Sequence, residues 1–168
     1  MLSIETYEAQ PWPDQLDWEE RAAKAVHAAL ELTPHAGLGD AAPIVEISVR
    51  LTDDAEVHQL NRDFRGKDKP TNVLSFPQYA PEDFHGLTNS DDGEILIGDI
   101  VLARETCARE AEEKGISLVD HATHLMVHGA LHLVGYDHMD DRSAAAMEAL
   151  EVKALASLGI RNPYDDTQ

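Results

Sequence analysis

The chain has 168 residues, of which 43% are hydrophobic and 27% charged, as is typical of a soluble globular protein. Its length suits one domain, residues 1–168, that buries roughly 70% of the surface the unfolded chain exposes. A formal net charge of -19 excludes a generally basic nucleic-acid-binding surface, because phosphate contacts come from Lys and Arg, and we expect no binding to DNA.

Targeting and redox signals indicate a cytoplasmic protein. The N-terminal MLSIETYEAQ has neither a basic start nor an apolar core, so it is not a signal peptide. No apolar run approaches the roughly 20 residues that span a bilayer, and we expect no membrane partner. The single cysteine, Cys107, excludes an intramolecular disulfide, fits a reducing compartment and is expected to be a small buried residue.

The first part of the chain predicts two strands and two helices. Residues 2–7 alternate apolar and polar side chains, which indicates a short strand, and residues 14–32 follow a helical period. Residues 44–51 alternate again and predict a half-buried strand. Thr52 is expected to cap a helix that runs to about Phe64, with Phe64 on its inward face.

The second part predicts two more strands and three more helices. Residues 73–76 form a short strand after a polar loop, and an acidic loop covers residues 78–93. Residues 94–102 read as a strand whose interior Gly98 indicates a bulge or a close approach of another segment. The predicted helices are residues 103–114, Ser117 to Gly135, and residues 141–158. The chain therefore has an α+β fold, with about four strands in a mixed sheet and about five helices.

One stretch, HATHLMVHGALHLVGYDH at residues 121–138, contains five of the nine histidines. Three of them, His128, His132 and His138, follow the spacing H-x3-H-x5-H. Zinc peptidases of the metzincin type place their ligands at this spacing, in the pattern H-E-x-x-H-x-x-G-x-x-H. The peptidase's general-base Glu is replaced by Gly129 here. The pattern predicts a metal site used for something other than peptide hydrolysis.

The geometry of a helix followed by a turn explains how these three residues meet. His128 and His132 lie one helical turn apart, so both imidazoles can reach one ion. His124 and His128 share that spacing, but Gly135 favours the first pair, because it lets the chain leave the helix and bring His138 back. Three protein ligands with a fourth position open to water are typical of catalytic zinc. We predict a metzincin-like helix–turn site for one Zn²⁺ ion per chain.

Three residues near this motif have roles that the pattern leaves open. We expect His121 and His124 to support the ligands or the helix, and not to bind the ion. Asp137 either orients a ligand imidazole through its second nitrogen or lies exposed in the turn.

Three motifs resemble one known family: RGKDKPTNVLSFP at residues 65–77, IGDI at residues 97–100 and HGALHLVGYDH at residues 128–138. On these residues the chain resembles the YbeY family of bacterial endoribonucleases, also called rRNA maturation factors. The similarity extends from about residue 44 to residue 164. It implies a zinc-dependent, single-strand-specific endoribonuclease in late 16S rRNA 3′-end maturation and 70S ribosome quality control. The implied partners are the 16S rRNA precursor and the small ribosomal subunit with its proteins.

The resemblance also implies roles for individual residues. His128, His132 and His138 match the family's metal ligands, and Arg65 matches its functionally important arginine. We expect Arg65 and His128 to take part in catalysis. The family usually has Tyr-Arg where this chain has Phe64-Arg65, so one hydroxyl is lost.

The basic residues are concentrated where a phosphate-binding group is needed. Four of the thirteen, Arg62, Arg65, Lys67 and Lys69, fall within eight positions. A guanidinium offers paired donors suited to phosphate, so we expect Arg65 to clamp the scissile phosphate against the zinc ion. Lys67 and Lys69 either attract the RNA backbone or are plain solvated loop charges. The proton acceptor stays open between hydroxide on the metal, the substrate 2′-hydroxyl and a nearby residue such as His124.

Two other functions share some of these features. A metallopeptidase-like hydrolase needs a general base, and Gly129 cannot supply one. A non-catalytic, metal-stabilised ribosome assembly factor would use the ion for folding and would not turn over RNA.

Overall fold

The computed structural model describes residues 2–9, 11–12, 16–40, 44–84, 86 and 93–164. Within these ranges it contains four strands and five α-helices, so the predicted α+β fold is confirmed. The strands are β1 (Leu2–Glu8), β2 (Ile44–Thr52), β3 (Val73–Pro77) and β4 (Glu94–Ala103). The helices are α1 (Trp18–Glu31), α2 (Asp54–Arg65), α3 (Arg104–Lys114), α4 (Leu118–Leu133) and α5 (Asp141–Ser157). Two 3-10 turns, Ala36–Asp40 and Pro81–Asp83, lie in the connections.

The four strands form one mixed sheet in the order β1-β2-β4-β3. β1, β2 and β4 run parallel, and β3 pairs antiparallel with β4. The alternation in β2 places four side chains fully inside the core, namely Val45, Ile47, Val49 and Leu51.

Within the described residues, no helix is long and apolar enough to cross a membrane.

Gly98 in β4 lies beside a bulge and is also a point of close approach; the sequence predicts one or the other. Pairing with β2 shifts register between Glu46 and Ile47, opposite Gly98. A Cβ atom on Gly98 would lie 2.6 Å from Leu133 Cδ2 and from the carbonyl oxygen of Phe76. The missing side chain therefore lets β4 pack directly under the end of α4.

The helix α4 is the centre of the core. Its buried positions occur on all sides, because the sheet, α1, α3 and α5 all pack against it. Ser117 begins the helix as predicted, since its hydroxyl accepts a hydrogen bond from the Asp120 backbone N–H at 3.0 Å. Cys107 in α3 is fully buried, as expected, and burial raises the pKa of its thiol.

Three local predictions need correction. The first concerns the start of α1, which was predicted at residue 14. The helix begins at Trp18, because the Asp17 carboxylate accepts a hydrogen bond from Glu20 N; residues 14 and 15 lie outside the described residues.

The second concerns the cap of α2, which was predicted to be Thr52. The cap is Asp53, whose carboxylate accepts a hydrogen bond from Glu56 N at 2.9 Å, whereas Thr52 still belongs to β2.

The third correction concerns Phe64, which is 69% exposed instead of facing inward. The interior position one turn earlier is taken by Asn61, which is 2% exposed and whose amide donates to the carbonyl of Lys69 at 2.8 Å. The Phe64 ring packs edge-on against Phe76 at the surface, with 5.6 Å between the ring centroids. The end of α2 thus serves to hold the following loop instead of filling the core.

Candidate metal centre and basic cleft

His128, His132 and His138, the histidine cluster, meet at the end of α4. The helix ends at Leu133, and Gly135 adopts a φ of +101°, a conformation that L side chains rarely adopt. This turn brings His138 back towards the helix. One ring nitrogen from each of the three residues lies within 4.8 Å of the other two. The three residues singled out by their spacing are therefore brought together.

The donor set fits a zinc ion. Two nitrogens that bind one tetrahedral ion at about 2.0–2.1 Å are about 3.3 Å apart. The Nε2 atoms of His128 and His132 are 3.0 Å apart, close to that separation. The ring centroid of His138 lies 5.2 Å from the ring centroid of His132 and 5.6 Å from that of His128. Three imidazoles with one open side match the ligand number of catalytic zinc.

His132 is held neutral, as a metal ligand must be. Burial, and to a lesser extent the neighbouring His128 and His138, lower its pKa to about 4. A backbone hydrogen bond with Tyr136 acts in the opposite direction but is outweighed. The Nε2 atom of His132 faces the cluster, since it lies 3.0 Å from His128 Nε2.

Gly129 has no room for the glutamate of a metallopeptidase. A Cβ atom at this position would lie 2.7 Å from Ile100 Cγ2 on β4 and 3.3 Å from the hydroxyl oxygen of Ser75. The position after the first candidate ligand therefore faces the sheet and not the ion. The absence of a general base there follows from packing.

A buried carboxylate supports the cluster from behind. Glu151 on α5 is 0% exposed and accepts a hydrogen bond from His128 Nδ1 at 3.0 Å. It also accepts from His124 Nε2 and from the Tyr164 hydroxyl, each at 2.8 Å. Burial acts to raise the pKa of Glu151, but the hydrogen bonds from His124 and His128 outweigh it, and the pKa falls to about 2. The carboxylate is therefore charged at neutral pH.

The histidine cluster opens into a cavity of about 510 Å³, called here the basic cleft. Six of its lining residues are the predicted site residues, namely Arg65, Lys67, Lys69, His128, His132 and His138. None of its described lining residues carries a carboxylate. Anionic groups entering the cleft thus meet cations on one side and the histidine cluster on the other.

The conformation of Arg65 is set by β3. Its guanidinium donates to the carbonyl oxygen of Ser75 and lies 5.4 Å from the centroid of the Phe76 ring. One nitrogen is thus used for positioning, and the rest of the fork remains for a ligand. The loop that carries Lys67 and Lys69 is fixed through Asn61, whose carbonyl accepts from Lys67 N at 3.2 Å.

The structure also answers the questions left open for the neighbouring residues. His121 Nε2 donates to Glu110 at 2.8 Å, so it supports the packing of α4 on α3. His124 is 6% exposed and does not line the cleft, so its position gives no support to a role as the reaction's proton acceptor. Asp137 is exposed in the turn, where it accepts from Met139 N at 3.3 Å.

Comparison with known proteins decides the family. The family model described as Endoribonuclease YbeY matches residues 7–159. The chain belongs to the YbeY family. It is 77% identical to Endoribonuclease YbeY of Sphingopyxis alaskensis, over 99% of each chain. It is 57% identical to Endoribonuclease YbeY of Rhizorhabdus wittichii, over 100% of this chain and 99% of that one.

A solved structure has a similar fold. The solution structure of a Thermotoga maritima protein has a TM-score of 0.54 and 21% identity, covering 98% of this chain and 97% of that one. At this identity the likeness concerns the fold alone.

In this member of the YbeY family, sequence reasoning missed Glu151 and Tyr164 as site residues. They lie 23 and 36 positions after His128, on α5 and in the turn beyond it. The one available signal was Glu151 itself, a charged residue on the buried face of an amphipathic helix with Met147 and Leu155. Such a charge requires partners, which only the fold identifies.

Proposed function

We propose that this protein is a zinc-dependent endoribonuclease specific for single-stranded RNA, acting in late 16S rRNA 3′-end maturation and 70S ribosome quality control. The observation that carries the proposal is the meeting of the histidine cluster and the Arg65 guanidinium in one cleft. The two YbeY relatives named above carry the word endoribonuclease in their names, which supports the same reaction class.

Each residue of the cleft has a defined task in this proposal. His128, His132 and His138 would hold one Zn²⁺ ion, which when bound polarises a phosphoryl oxygen and lowers the pKa of water. Arg65 binds the other oxygens of the scissile phosphate and stabilises the charge that develops on them. The β3 carbonyl that holds Arg65 keeps the guanidinium oriented before RNA arrives.

The positive residues of the loop bind the RNA backbone beside that phosphate. Lys67 and Lys69 line the basic cleft together with Arg65, in a chain whose net charge is -19. So few cations give weak binding to free RNA. We propose that proteins of the small ribosomal subunit deliver the 16S rRNA precursor to the cleft, and that the protein acts in the cytoplasm.

A peptidase reaction has little support. The general base of a metzincin would need a side chain at residue 129, where a Cβ atom already meets Ile100. The basic cleft also lacks a carboxylate among its described lining residues that could take over this role. The arrangement therefore favours phosphate over a peptide bond as the group that is attacked.

The test compares two arginines in zinc-loaded protein. Arg65→Ala should bind zinc like the parent and cut a labelled single-stranded RNA at least about 100-fold more slowly. The matched control is Arg62→Ala, one turn earlier on α2, which is exposed and does not line the cleft. Equal cutting by Arg65→Ala and the parent would refute the phosphate clamp. A parent that binds zinc and ribosomal subunits but cuts no RNA would indicate an assembly factor.

A further inference from the structure

The carboxylate of Glu151 joins three elements of the fold at one point. It is carried by α5 and accepts hydrogen bonds from His124 and His128 on α4 and from Tyr164 in the C-terminal turn. The side chain is completely buried, so no water competes for these bonds. A buried charge of this kind is costly unless its acceptor sites are used, and here three donors satisfy it.

Its contact with His128 determines which ring nitrogen faces the cluster. A carboxylate only accepts, so His128 Nδ1 must carry the proton in this bond, and Nε2 is left as a lone pair. That Nε2 atom is the one 3.0 Å from His132 Nε2. Histidines that bind metals commonly donate their other nitrogen to a carboxylate in this way.

We infer that Glu151, held in place by His124 and Tyr164, is a positioning residue that fixes the tautomer and direction of His128 for the metal ion. The inference rests on the proposed metal site and adds the C-terminal turn to it. Imidazole ligands do not neutralise the charge of a Zn²⁺ ion. The negative charge of Glu151, on the far side of the His128 ring, would partly balance it.

The C-terminal turn is built to deliver the Tyr164 hydroxyl. The Tyr164 backbone N–H donates to the Asn162 side chain at 2.8 Å, which closes the turn. The hydroxyl then lies 2.8 Å from Glu151 Oε2 and 3.2 Å from His124 Nε2, and the ring packs edge-on against His124. The two oxygens of Glu151 are thus divided between the histidines and the tyrosine, which prevents the carboxylate from rotating.

The same helix offers a matched control for Glu151. Glu148 lies one turn earlier on α5 and lines a cavity of about 370 Å³ together with His128, His138 and Glu151. Of the hydrogen bonds between described residues, those to His128 involve Glu151 and His132, and none involves Glu148. Replacing Glu148 removes a charge near the ion without touching the ligand's hydrogen bond.

The test measures zinc affinity of the full chain by competition with a chromophoric chelator. Glu151→Gln should bind zinc roughly 10- to 100-fold more weakly than the parent, and Tyr164→Phe should weaken binding in the same direction by less. Glu148→Gln should stay within about twofold of the parent. Zinc affinities of Glu151→Gln and the parent that agree within twofold would overturn the inference. A parent that binds no zinc would instead overturn the proposed metal site.

A second readout keeps the test valid if a variant is unstable. Imidazole nitrogen NMR of the metal-free parent should give the Nδ1–H tautomer for His128, and Glu151→Gln should give a mixture of tautomers. A purely structural role for Glu151 would lower the melting temperature but leave the His128 tautomer unchanged, and that result would refute the positioning role.

Discussion

Gly129 and Ile100 are so close that a single carbon between them would overlap. The missing Cβ atom would lie 2.7 Å from Ile100 Cγ2, so α4 reaches β4 only because residue 129 has no side chain. This contact brings the helix that carries His128 and His132 down onto the sheet, beside the strand that positions Arg65. The glycine that removes a peptidase's general base therefore also determines where the cluster sits.

Gly129→Glu should unfold or severely destabilise the protein. The new side chain has to displace Ile100 and buries a carboxylate that has no hydrogen-bond partner. Together these effects lower the free energy of unfolding by more than about 2 kcal/mol. Urea denaturation measures the loss. The control is Gly37→Ala, where a Cβ atom meets nothing within 4 Å and stability should change little. A folded Gly129→Glu protein of parental stability that cleaves peptides would contradict the packing explanation.

His138→Ala should abolish tight zinc binding and leave the fold intact. The side chain is exposed in the turn after α4, so its removal leaves no buried cavity. The drop in zinc affinity should exceed the roughly 10- to 100-fold effect of removing a ligand's hydrogen-bond partner. Circular dichroism and chelator competition provide the two readouts. The neighbour Met139, which is 87% exposed, supplies the control Met139→Ala, with parental affinity expected.

The stability of the metal-free protein should depend on pH through His132. Its pKa in the fold is about 4 against an ordinary 6.5, so between these values the unfolded chain binds a proton that the folded protein does not. The free energy of unfolding therefore falls as pH is lowered through this window. The parent should lose about 1 kcal/mol per pH unit more than His132→Asn. The free energy of unfolding is obtained from urea denaturation at each pH. If it falls equally with pH in the two proteins, the pKa of His132 is not lowered in the fold.

Binding of single-stranded RNA should weaken with salt in proportion to the cations of the basic cleft. Each phosphate contact contributes a slope of about -0.7 in log K against log salt, so three contacts give about -2. Lys67→Gln should reduce the magnitude of this slope by about 0.7. Arg62→Gln, which lies outside the cleft, should leave the slope unchanged. Fluorescence anisotropy in rising KCl measures both. If Lys67→Gln keeps the parental slope, Lys67 is a solvated loop charge.

Sequence patterns predicted most of the fold because its elements have strong local signals. Alternation identified β2, and the helical period with Ser117 and Gly135 bounded α4 closely. The cap of α2 was misassigned because Thr52 and Asp53 are adjacent and both are residue types that cap helices. Asp53 is the cap because Thr52 is still the last residue of β2. Phe64 was misplaced because periodicity cannot tell that Asn61 takes the interior position in order to hold a loop.

The candidate site was predictable only where its residues are close in sequence. The spacing of His128, His132 and His138 follows from a helix and one turn, so it can be read directly. Glu151 and Tyr164 reach His128 through packing of α5 on α4, and no local pattern encodes that contact. The reason for Gly129 is likewise an approach between distant segments, visible only when Ile100 is in place.

The most direct test of the central claim is cleavage of labelled single-stranded RNA by protein that has been stripped of metal and then reloaded. We predict that the stripped protein is inactive, that one equivalent of Zn²⁺ per chain restores cutting, and that elemental analysis of the native protein finds the same ratio. Undiminished cutting by stripped protein, or no cutting by a reloaded protein that holds one zinc ion, would contradict the account.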